Sequence, residues 1–196
     1  MKPDIVPIED TNSDWLSVAV ENLKADQVIA FPTDSIYGLL IKYTSENAQK
    51  LHMIRNRPLD KPFIVLVSSS FNRKTLINEN KLHACADAYI EEYWPGKISM
   101  VLPKNESLKY PLGDTIAVRT PKKEDNPFLV RLLDAIGFPV LAPSANISGE
   151  NALDNAEDIK KVFENKIEAV FSLPDYKSSE ASAIWDLTRF PFRQLR

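Results

Sequence analysis

The segment 31–39, Phe-Pro-Thr-Asp-Ser-Ile-Tyr-Gly-Leu, interrupts an apolar run with three consecutive side chains that carry oxygen. A proline followed by Thr33, Asp34 and Ser35 stops the ladder hydrogen bonds of a strand and offers polar groups instead. The chain then returns to strand-like composition over 36–41. This pattern is typical of a binding site at the end of a sheet, although an ordinary turn has the same composition.

The segment 55–61, Arg-Asn-Arg-Pro-Leu-Asp-Lys, places three cations between a predicted helix and a predicted buried strand. Guanidinium groups suit phosphates and carboxylates because their donor forks match two oxygens at once. Prolines at positions 58 and 62 would stiffen the loop and hold the cations in place. Arg55 and Arg57 could instead complement the negative end of the helix dipole, so this segment alone leaves both interpretations open.

Polar side chains also follow the apolar strands elsewhere in the chain. Ser144 and Asn146 leave a short strand, where they could face one ligand together or form a Ser/Asn turn. Strand alternation places Thr115 and Arg119 on one face. The tail over 182–196 carries further hydroxyls and cations, with a solvated chain end as the alternative. Together these groups suit an anionic ligand and a small polar one, joined by positioning and charge stabilisation.

Several common chemistries lack their motifs here. The sequence has no glycine-rich phosphate cradle of either common type and no Gly-x-Ser-x-Gly elbow. His52 and His83 have helical neighbours and no metal-site spacing, which predicts core or surface histidines. Cys85 lies between alanines in a predicted helix, where it would pack as a small hydrophobic residue. We therefore predict no protein metal site and no prosthetic group.

Composition sets the class of protein. The 196 residues are 44% hydrophobic and 26% charged, with a net charge of -3, which is ordinary for a globular protein. This length predicts one domain over 1–196 with a sizeable core. A single cysteine fits a reducing compartment. The acidic N-terminus is no secretory signal, and no apolar run approaches the roughly 20 residues of a membrane span, so we predict a cytoplasmic protein without membrane contact.

The elements that must position these groups follow from periodicity and caps. Helices are predicted over 13–24 with Asn12 or Ser13 as cap, from a Ser45 cap to about Asn56 or Arg57, near 70–77, and over 81–93, 126–136 and 155–165. Strands are predicted over 28–31, 36–41, 63–67, 98–102, 115–119, 140–142, 169–173, 183–187 and 192–196. Helices and strands alternate, but several strands are adjacent in sequence, which predicts a three-layer α/β domain around a mixed sheet.

Six segments occur in the order typical of the YrdC family. They are 31–39, the Arg55-x-Arg57-Pro and Lys61-Pro pair, Trp-Pro-Gly over 94–96, Ala-Val-Arg over 117–119, Ser-Ala-Asn-Ile-Ser-Gly over 144–149, and 182–186. From about residue 28 to 196 the chain resembles that family and, within it, the single-domain TsaC-type threonylcarbamoyl-adenylate synthases. The resemblance implies a twisted sheet with a concave, basic face. It also implies a nucleotidyltransferase that condenses L-threonine, bicarbonate and ATP into threonylcarbamoyl-AMP and pyrophosphate.

By the same resemblance, the family's site residues carry over by position. L-threonine would contact Thr33, Arg119, Ser144 and Ser182. ATP would contact Arg55, Arg57, Lys61, Thr115, Asn146 and Arg196. Arg55, Arg57 and Lys61 would be catalytic, with Arg55 near bicarbonate or phosphate. Mg²⁺ would arrive on the ATP phosphates, and partner proteins would transfer the threonylcarbamoyl group to tRNA for the t6A modification.

The sequence departs from the family pattern at several positions. The family's Lys-x-Arg is Arg55-x-Arg57 here, Leu66 stands where longer members often carry histidine, and Ala183 replaces a threonine. Arg193 is the substitute if Arg196 does not serve the nucleotide. Two alternatives stay open: a non-catalytic module that binds tRNA or double-stranded RNA, and a relative with another nucleotide-dependent carbamoylation. The net charge of -3 argues against the first.

Overall fold

The computed structural model describes residues 2–11 and 14–196. Within them lie ten strands: β1 Asp4–Pro7, β2 Ile29–Pro32, β3 Tyr37–Lys42, β4 Val65–Leu66, β5 Ile98–Pro103, β6 Thr115–Arg119, β7 Val140–Leu141, β8 Ala169–Ser172, β9 Ala183–Asp186 and β10 Arg193–Gln194. The α-helices are α1 Asp14–Lys24, α2 Ser45–Ile54, α3 Ala86–Tyr93, α4 Pro127–Ile136 and α5 Ala156–Val162. Short 3-10 helices cover Arg73–Thr75 and Glu79–Lys81.

These strands form one twisted sheet in the order β1-β8-β2-β3-β7-β4-β6-β5-β9-β10. The pairs β1–β8, β2–β8, β4–β6 and β5–β9 are parallel. The pairs β2–β3, β3–β7, β4–β7, β5–β6 and β9–β10 are antiparallel. The predicted mixed sheet is confirmed.

Strand alternation divides the core into two apolar clusters, one on each face of the sheet. In β2, Ile29 and Phe31 pack beneath α1 and α4, whereas Ala30 points to the opposite cluster. That opposite cluster lies under α2, α3 and α5, which contribute residues such as Leu51 and Ile159. Helices on both faces make the predicted three layers, and this prediction is confirmed.

Among the described residues, one part of the sheet has no helix over one of its faces. The cluster under α1 and α4 contains no described residue of β5, β6 or β9. In β6, Ile116 and Val118 point into the other cluster, so Arg119 lies on the uncovered face. Its neighbour in β4 is Leu66, which belongs to the covered part of the same face. Arg119 therefore lies at the boundary where the helical layer ends.

Local signals placed α4 correctly. Asn126 caps the helix by accepting a hydrogen bond from the backbone N–H of Leu129, and Pro127 occupies the first turn. Gly137 ends it in the left-handed conformation, with φ of 66°. The predicted stop of α3 at Trp94 is also confirmed.

Other helix predictions were wrong at their boundaries. Thr44, not Ser45, caps α2, and its side chain accepts a hydrogen bond from the backbone N–H of Asn47. The helix ends at Ile54, before the end predicted at Asn56 or Arg57. The helix predicted over 70–77 is only the 3-10 turn after Asn72, whose side chain accepts from the N–H of Lys74. The predicted caps Asn12 and Ser13 lie outside the described residues.

The helix predicted over 81–93 begins only at Ala86. His83 accepts a hydrogen bond from the backbone N–H of Cys85 through Nδ1, at 3.2 Å, which favours a turn over a continuous helix. The predicted packing of Cys85 is wrong, because this residue is exposed at the helix cap. His52, by contrast, is a buried core residue as predicted.

Strand predictions were wrong where a strand is defined by pairing with residues far away in the sequence. The run 63–67 is buried or half-buried, but only Val65–Leu66 is paired as β4. The strand β1 had no local signal, and it forms by parallel pairing with β8. Among the described residues, no helix combines the length and the apolar composition that crossing a bilayer requires.

Candidate functional site

A cavity of about 720 Å³, including its open mouth, lies at the ends of the central strands beside the uncovered face. A concave site into which several polar side chains converge is typical of small-molecule binding. Its walls come from the turn after β2, the loop between α2 and β4, the ends of β6 and β7, and the region of β9. The lining residues are Thr33, Ser35, Ile36, Tyr37, Gly38, Arg55, Arg57, Pro62, Phe63, Ile64, Arg119, Ala142, Pro143, Ser144, Ala181, Ser182, Ile184 and Arg196.

The turn between β2 and β3 is built around Thr33. Its Oγ1 donates to the carbonyl of Ile36 at 2.6 Å and accepts from the N–H of Ser35 at 3.2 Å. A Cβ at Gly38 would lie 3.1 Å from the Thr33 methyl group, so the missing side chain lets the two strands approach. These bonds orient the Thr33 hydroxyl at the cavity wall.

Asp34 and Arg119 form a buried ion pair behind this turn. Arg119 Nη2 lies 2.8 Å from Asp34 Oδ1, and Nη1 donates to Oδ2 at 3.2 Å. The side chains are 0% exposed for the aspartate and 5% for the arginine. Burial lowers the pKa of Arg119, and the charge of Asp34 opposes that shift. Arg119 Nε is also buried and has no hydrogen-bond partner among the described residues, so the protein leaves one donor of this guanidinium unused.

Arg55 is the centre of a polar network that joins α2 to the loop after β7. Its Nε donates to the backbone carbonyl of Asn146 at 2.9 Å, and its Nη2 donates to Asn146 Oδ1 at 2.7 Å and Ser144 Oγ at 3.1 Å. The Ser144 hydroxyl in turn donates to Asn146 Oδ1 at 2.5 Å. Burial and then the charge of Arg57 lower the pKa of Arg55 to about 10.

The loop after α2 carries Arg57 and Lys61. Arg57 Nε donates to the backbone carbonyl of Lys61 at 2.9 Å, and its guanidinium lies 5.6 Å from the ring centroid of Phe63. Arg55 lies over the same ring at 6.0 Å. Two guanidinium groups thus share one aromatic platform at the cavity wall.

The last residues return to the cavity. Arg196 donates from Nε and Nη2 to the backbone carbonyl of Ser182, at 3.1 and 3.0 Å. Ser182 is buried, and its hydroxyl lies 3.0 Å from that of Ser99 in β5. Burial and then the charge of Arg57 lower the pKa of Arg196. Both guanidinium-bearing residues line the same cavity.

The structure gathers most of the predicted site residues. Those that line the cavity are Thr33, Arg55, Arg57, Arg119, Ser144, Ser182 and Arg196. Lys61 and Thr115 are exposed and do not line it. Arg193 pairs with Asp186 in the outer strand β10, away from the cavity wall, so the placement favours Arg196 over Arg193. The individual ligand contacts of all these residues stay predictions.

Asn146 lies beside the cavity, but its side-chain amide is fully engaged within the protein. Its Oδ1 accepts from Arg55 and Ser144, while Nδ2 donates to the carbonyls of Ile147 and Glu150 at 2.8 and 2.7 Å. In this arrangement Asn146 holds the loop together and orients Arg55.

Sequence reasoning missed the pairing of Asp34 with Arg119. Eighty-five positions separate the two residues, so no local pattern shows the pair. The available signal was chemical: a carboxylate between two buried strands needs a cation. Phe63 was likewise treated only as part of an apolar run, although its ring lies under both Arg55 and Arg57.

The cavity is strongly cationic. No carboxylate lines it among the described residues, and none of the ion pairs found there involves Arg55, Arg57 or Arg196. The described residues also contain no group of three His, Cys, Asp or Glu side chains that could hold a metal. Fold and site together define a mixed α/β protein with an arginine-rich cavity suited to an anionic ligand.

The sequence comparison identifies the family. The profile of the Sua5/YciO/YrdC family, described as "Telomere recombination", matches residues 21–196. The chain belongs to this family.

Its relatives include proteins named threonylcarbamoyl-AMP synthase. That of Pyrococcus abyssi is 30% identical over 95% of this chain, and that of Bacillus subtilis is 29% identical over 85%. The chain spans 55% and 48% of these two proteins, about half their length. That of Klebsiella pneumoniae is 27% identical, and the chain covers 96% of it.

Solved structures agree with this assignment. P. abyssi Sua5 complexed with L-threonine superposes with a TM-score of 0.85 at 29% identity, covering 98% of this chain and 56% of that protein. E. coli YciO superposes with a TM-score of 0.83 at 23% identity, covering 98% of this chain and 93% of the other. The second match shows the shared fold.

Proposed function

We propose that the protein is a threonylcarbamoyl-AMP synthase, a nucleotidyltransferase acting on L-threonine, bicarbonate and ATP. One observation carries the proposal: Arg55, Arg57 and Arg196 face a single cavity without a described carboxylate partner, beside buried hydroxyls. Guanidinium groups without counterions suit a polyphosphate. The names of the relatives and the L-threonine in P. abyssi Sua5 support the same substrates.

Differences in burial along the cavity wall suit the two larger substrates. Thr33, Ser182 and Arg119 are buried and Ser144 is half-buried, and these hydroxyls and this cation would hold the hydroxyl and carboxylate of threonine. Arg57 and Arg196 would bind the phosphates of ATP, with Lys61 and Thr115 reaching its outer parts. Arg55 donates to Ser144 and lies over the same ring as Arg57, and this position would suit bicarbonate or a phosphate oxygen.

The chemistry follows from this placement. Threonine and bicarbonate would form a carbamate and water, and a carbamate oxygen would then attack the α-phosphorus of ATP. The bond from that phosphorus to the bridging oxygen would break, and pyrophosphate would leave. Arg55 and Arg57 would stabilise the charge that develops on the phosphate oxygens.

Magnesium fits this scheme as a companion of ATP. Because no carboxylate lines the cavity among the described residues, the protein offers no cage for the ion. Mg²⁺ would therefore be bound by the phosphates and water. We place the reaction in the cytoplasm, where partner proteins would transfer the product's threonylcarbamoyl group to tRNA.

Pyrophosphate release tests the proposed function. Purified protein with ATP, Mg²⁺, bicarbonate and L-threonine is expected to release pyrophosphate, and omission of threonine or its replacement by L-valine is expected to abolish release. Release that does not depend on threonine would favour another carbamoylation reaction. No release, combined with tight binding of tRNA or double-stranded RNA, would favour the non-catalytic module.

Replacing Arg57 by alanine is expected to weaken ATP binding about tenfold or more while the melting temperature barely moves. Arg57 is half-exposed, and among the described residues its guanidinium donates only to the carbonyls of Lys61 and Pro62 in its own loop. Its loss should therefore change the free energy of unfolding by less than about 1 kcal/mol. Isothermal titration and thermal unfolding measure the two effects.

Lys50→Ala is the matched control for Arg57→Ala. Lys50 is a cation of α2 that lies outside the cavity and donates to the backbone carbonyl of Asp26. The Lys50→Ala substitution removes one positive charge, as Arg57→Ala does, but it leaves the cavity wall unchanged, so ATP binding should not change. A collapse of the Arg57→Ala fold would show instead that Arg57 mainly terminates α2.

A further inference from the structure

A polar cluster behind the cavity connects His52 of α2 to Tyr110 in the loop between β5 and β6. Both residues are buried, at 3% and 7% exposure. His52 Nδ1 lies 3.1 Å from the carbonyl oxygen of Arg57, and His52 Nε2 lies 3.4 Å from Tyr110 Oη. The backbone N–H of Phe63 donates to the same Tyr110 Oη at 3.0 Å.

These contacts fall on the two ends of one loop, residues 57–63, which we call the cationic loop. Its first carbonyl and its last amide bind side chains from α2 and from the loop before β6. Between these ends, the residues from Pro58 to Pro62 are exposed. The cluster therefore holds the loop where it leaves α2 and where it enters the core.

One set of proton positions satisfies every member of the cluster. The Phe63 N–H can only donate, so Tyr110 Oη accepts from it and is free to donate its own hydrogen to His52 Nε2. His52 Nδ1 then carries the ring proton and donates to the Arg57 carbonyl. Burial is the main cause that lowers the pKa of His52, and the charges of Arg57 and Arg55 lower it further. The lowered pKa favours this neutral ring.

The cluster also fixes the aromatic platform under the cations. The His52 ring lies 4.3 Å from the Phe63 ring, centroid to centroid, at an interplanar angle of 31°. Phe63 in turn lies beneath Arg57 and Arg55. A shift of Phe63 would therefore remove the ring that lies under Arg57, whereas hydrogen bonds to Asn146 and Ser144 would still hold Arg55.

We propose that His52 and Tyr110 are positioning residues that hold both ends of the cationic loop and so set Arg57 and Phe63 for the phosphates of ATP. The proposal rests on the proposed function for the identity of the nucleotide. Neither residue touches the cavity, so both act through the loop. Because a displacement of about 1 Å in a positioned group can cost up to about a hundredfold in reaction rate, the loss of either residue should impair the use of ATP.

Tyr110→Phe and His52→Phe test the proposal, since each keeps an aromatic ring and removes the polar contact. We expect two effects: faster amide exchange at Phe63, measured by NMR, and at least tenfold weaker binding of inorganic tripolyphosphate. In the pyrophosphate assay the KM for ATP should rise by a similar factor, with little change in the KM for L-threonine. The double variant should resemble the single ones, because both side chains act on one loop.

Tyr43→Phe is the matched control. The Tyr43 hydroxyl donates to the backbone carbonyl of Tyr110, so it belongs to the same buried cluster but does not contact the cationic loop. Its loss should lower the melting temperature without changing tripolyphosphate binding. If Tyr43→Phe and Tyr110→Phe weaken binding equally, the effect follows stability alone and the proposal is wrong.

The readouts separate this inference from the proposed function. Amide exchange and tripolyphosphate binding require no turnover, so they decide the positioning role even if the wild-type protein releases no pyrophosphate. If either quantity is unchanged in both Tyr110→Phe and His52→Phe, the positioning role is overturned. If both change while the wild-type protein makes no product, the loop is positioned for a polyphosphate other than the ATP of this reaction.

Discussion

Replacing Asp34 by asparagine is expected to lower the free energy of unfolding by about 3–5 kcal/mol, because the buried Arg119 guanidinium would lose its counterion. The two side chains meet at 2.8 and 3.2 Å with almost no exposure to water. For a chain of this length the loss corresponds to a fall of about 6–20 °C in melting temperature. Denaturant unfolding and calorimetry measure the two quantities.

A surface pair of the same chemistry provides the control for Asp34→Asn. Arg73 Nη2 and Asp87 Oδ1 lie 2.7 Å apart, but their side chains are 33% and 57% exposed. Asp87→Asn should therefore cost less than about 1 kcal/mol. Equal small losses in the two variants would show that water or another group replaces Asp34 beside Arg119.

A double variant separates the effect of the ion pair from the effect of leaving one charge without its partner. Arg119→Met combined with Asp34→Asn removes both charges, so it should recover part of the stability lost by Asp34→Asn alone. Binding of L-threonine should not recover, because Arg119 would be missing from the cavity wall. No recovery of stability would show that Asp34 acts mainly through the shape of the turn rather than through Arg119.

The sequence predicted the elements whose ends are set by neighbouring residues. Asn126 and Pro127 at the start of α4, and Gly137 at its end, act within one turn of the helix they bound. Strands β5 and β6 also followed from their own composition. Such signals need no knowledge of the tertiary structure, so a single sequence contains them.

Elements that depend on distant partners could not be predicted in the same way. β1 becomes a strand because it pairs with β8, more than 160 positions further along the chain. The delayed start of α3 depends on the orientation of the His83 ring, which periodicity does not report. The order of the strands follows from the packing of the layers and has no local signal.

The site shows the same division between local and distant causes. Hydroxyls and cations at strand ends were visible in the sequence, and the fold brings Thr33, Arg57 and Ser182 to one cavity. Whether a polar group is free or already bonded depends on the rest of the fold. Asn146 looked like a ligand group in the sequence, but its amide is engaged by four protein atoms.

Replacing Arg55 by methionine is expected to lower kcat/KM for ATP by about 10²–10³-fold, the usual effect of removing one charge-stabilising donor. It should also lower the free energy of unfolding by about 1–3 kcal/mol, because the Asn146 carbonyl loses the Arg55 donor and Oδ1 loses one of its two donors. Pyrophosphate release and denaturant unfolding measure the two effects.

Arg131→Met is the control for Arg55→Met. Arg131 also lies over an aromatic ring, that of Trp15 at 5.7 Å, but it belongs to α4 and lies outside the cavity. Its replacement should leave kcat/KM unchanged. An equal fall in both variants would show that the loss follows general destabilisation rather than the position of Arg55 in the site.

Arg55→Lys then separates the charge from the shape of the group that carries it. Lysine keeps the positive charge, but a single ammonium cannot match the fork that reaches the Asn146 carbonyl, Asn146 Oδ1 and Ser144 Oγ from two nitrogens. We expect turnover between those of the wild type and Arg55→Met, with faster amide exchange in the loop over 144–149. Unchanged turnover with faster amide exchange in this loop would mean that catalysis needs only the positive charge at position 55. The forked guanidinium would then be needed only to hold the loop. Unchanged turnover with an unchanged loop would contradict the role assigned to the fork, because an ammonium would then replace it without loss.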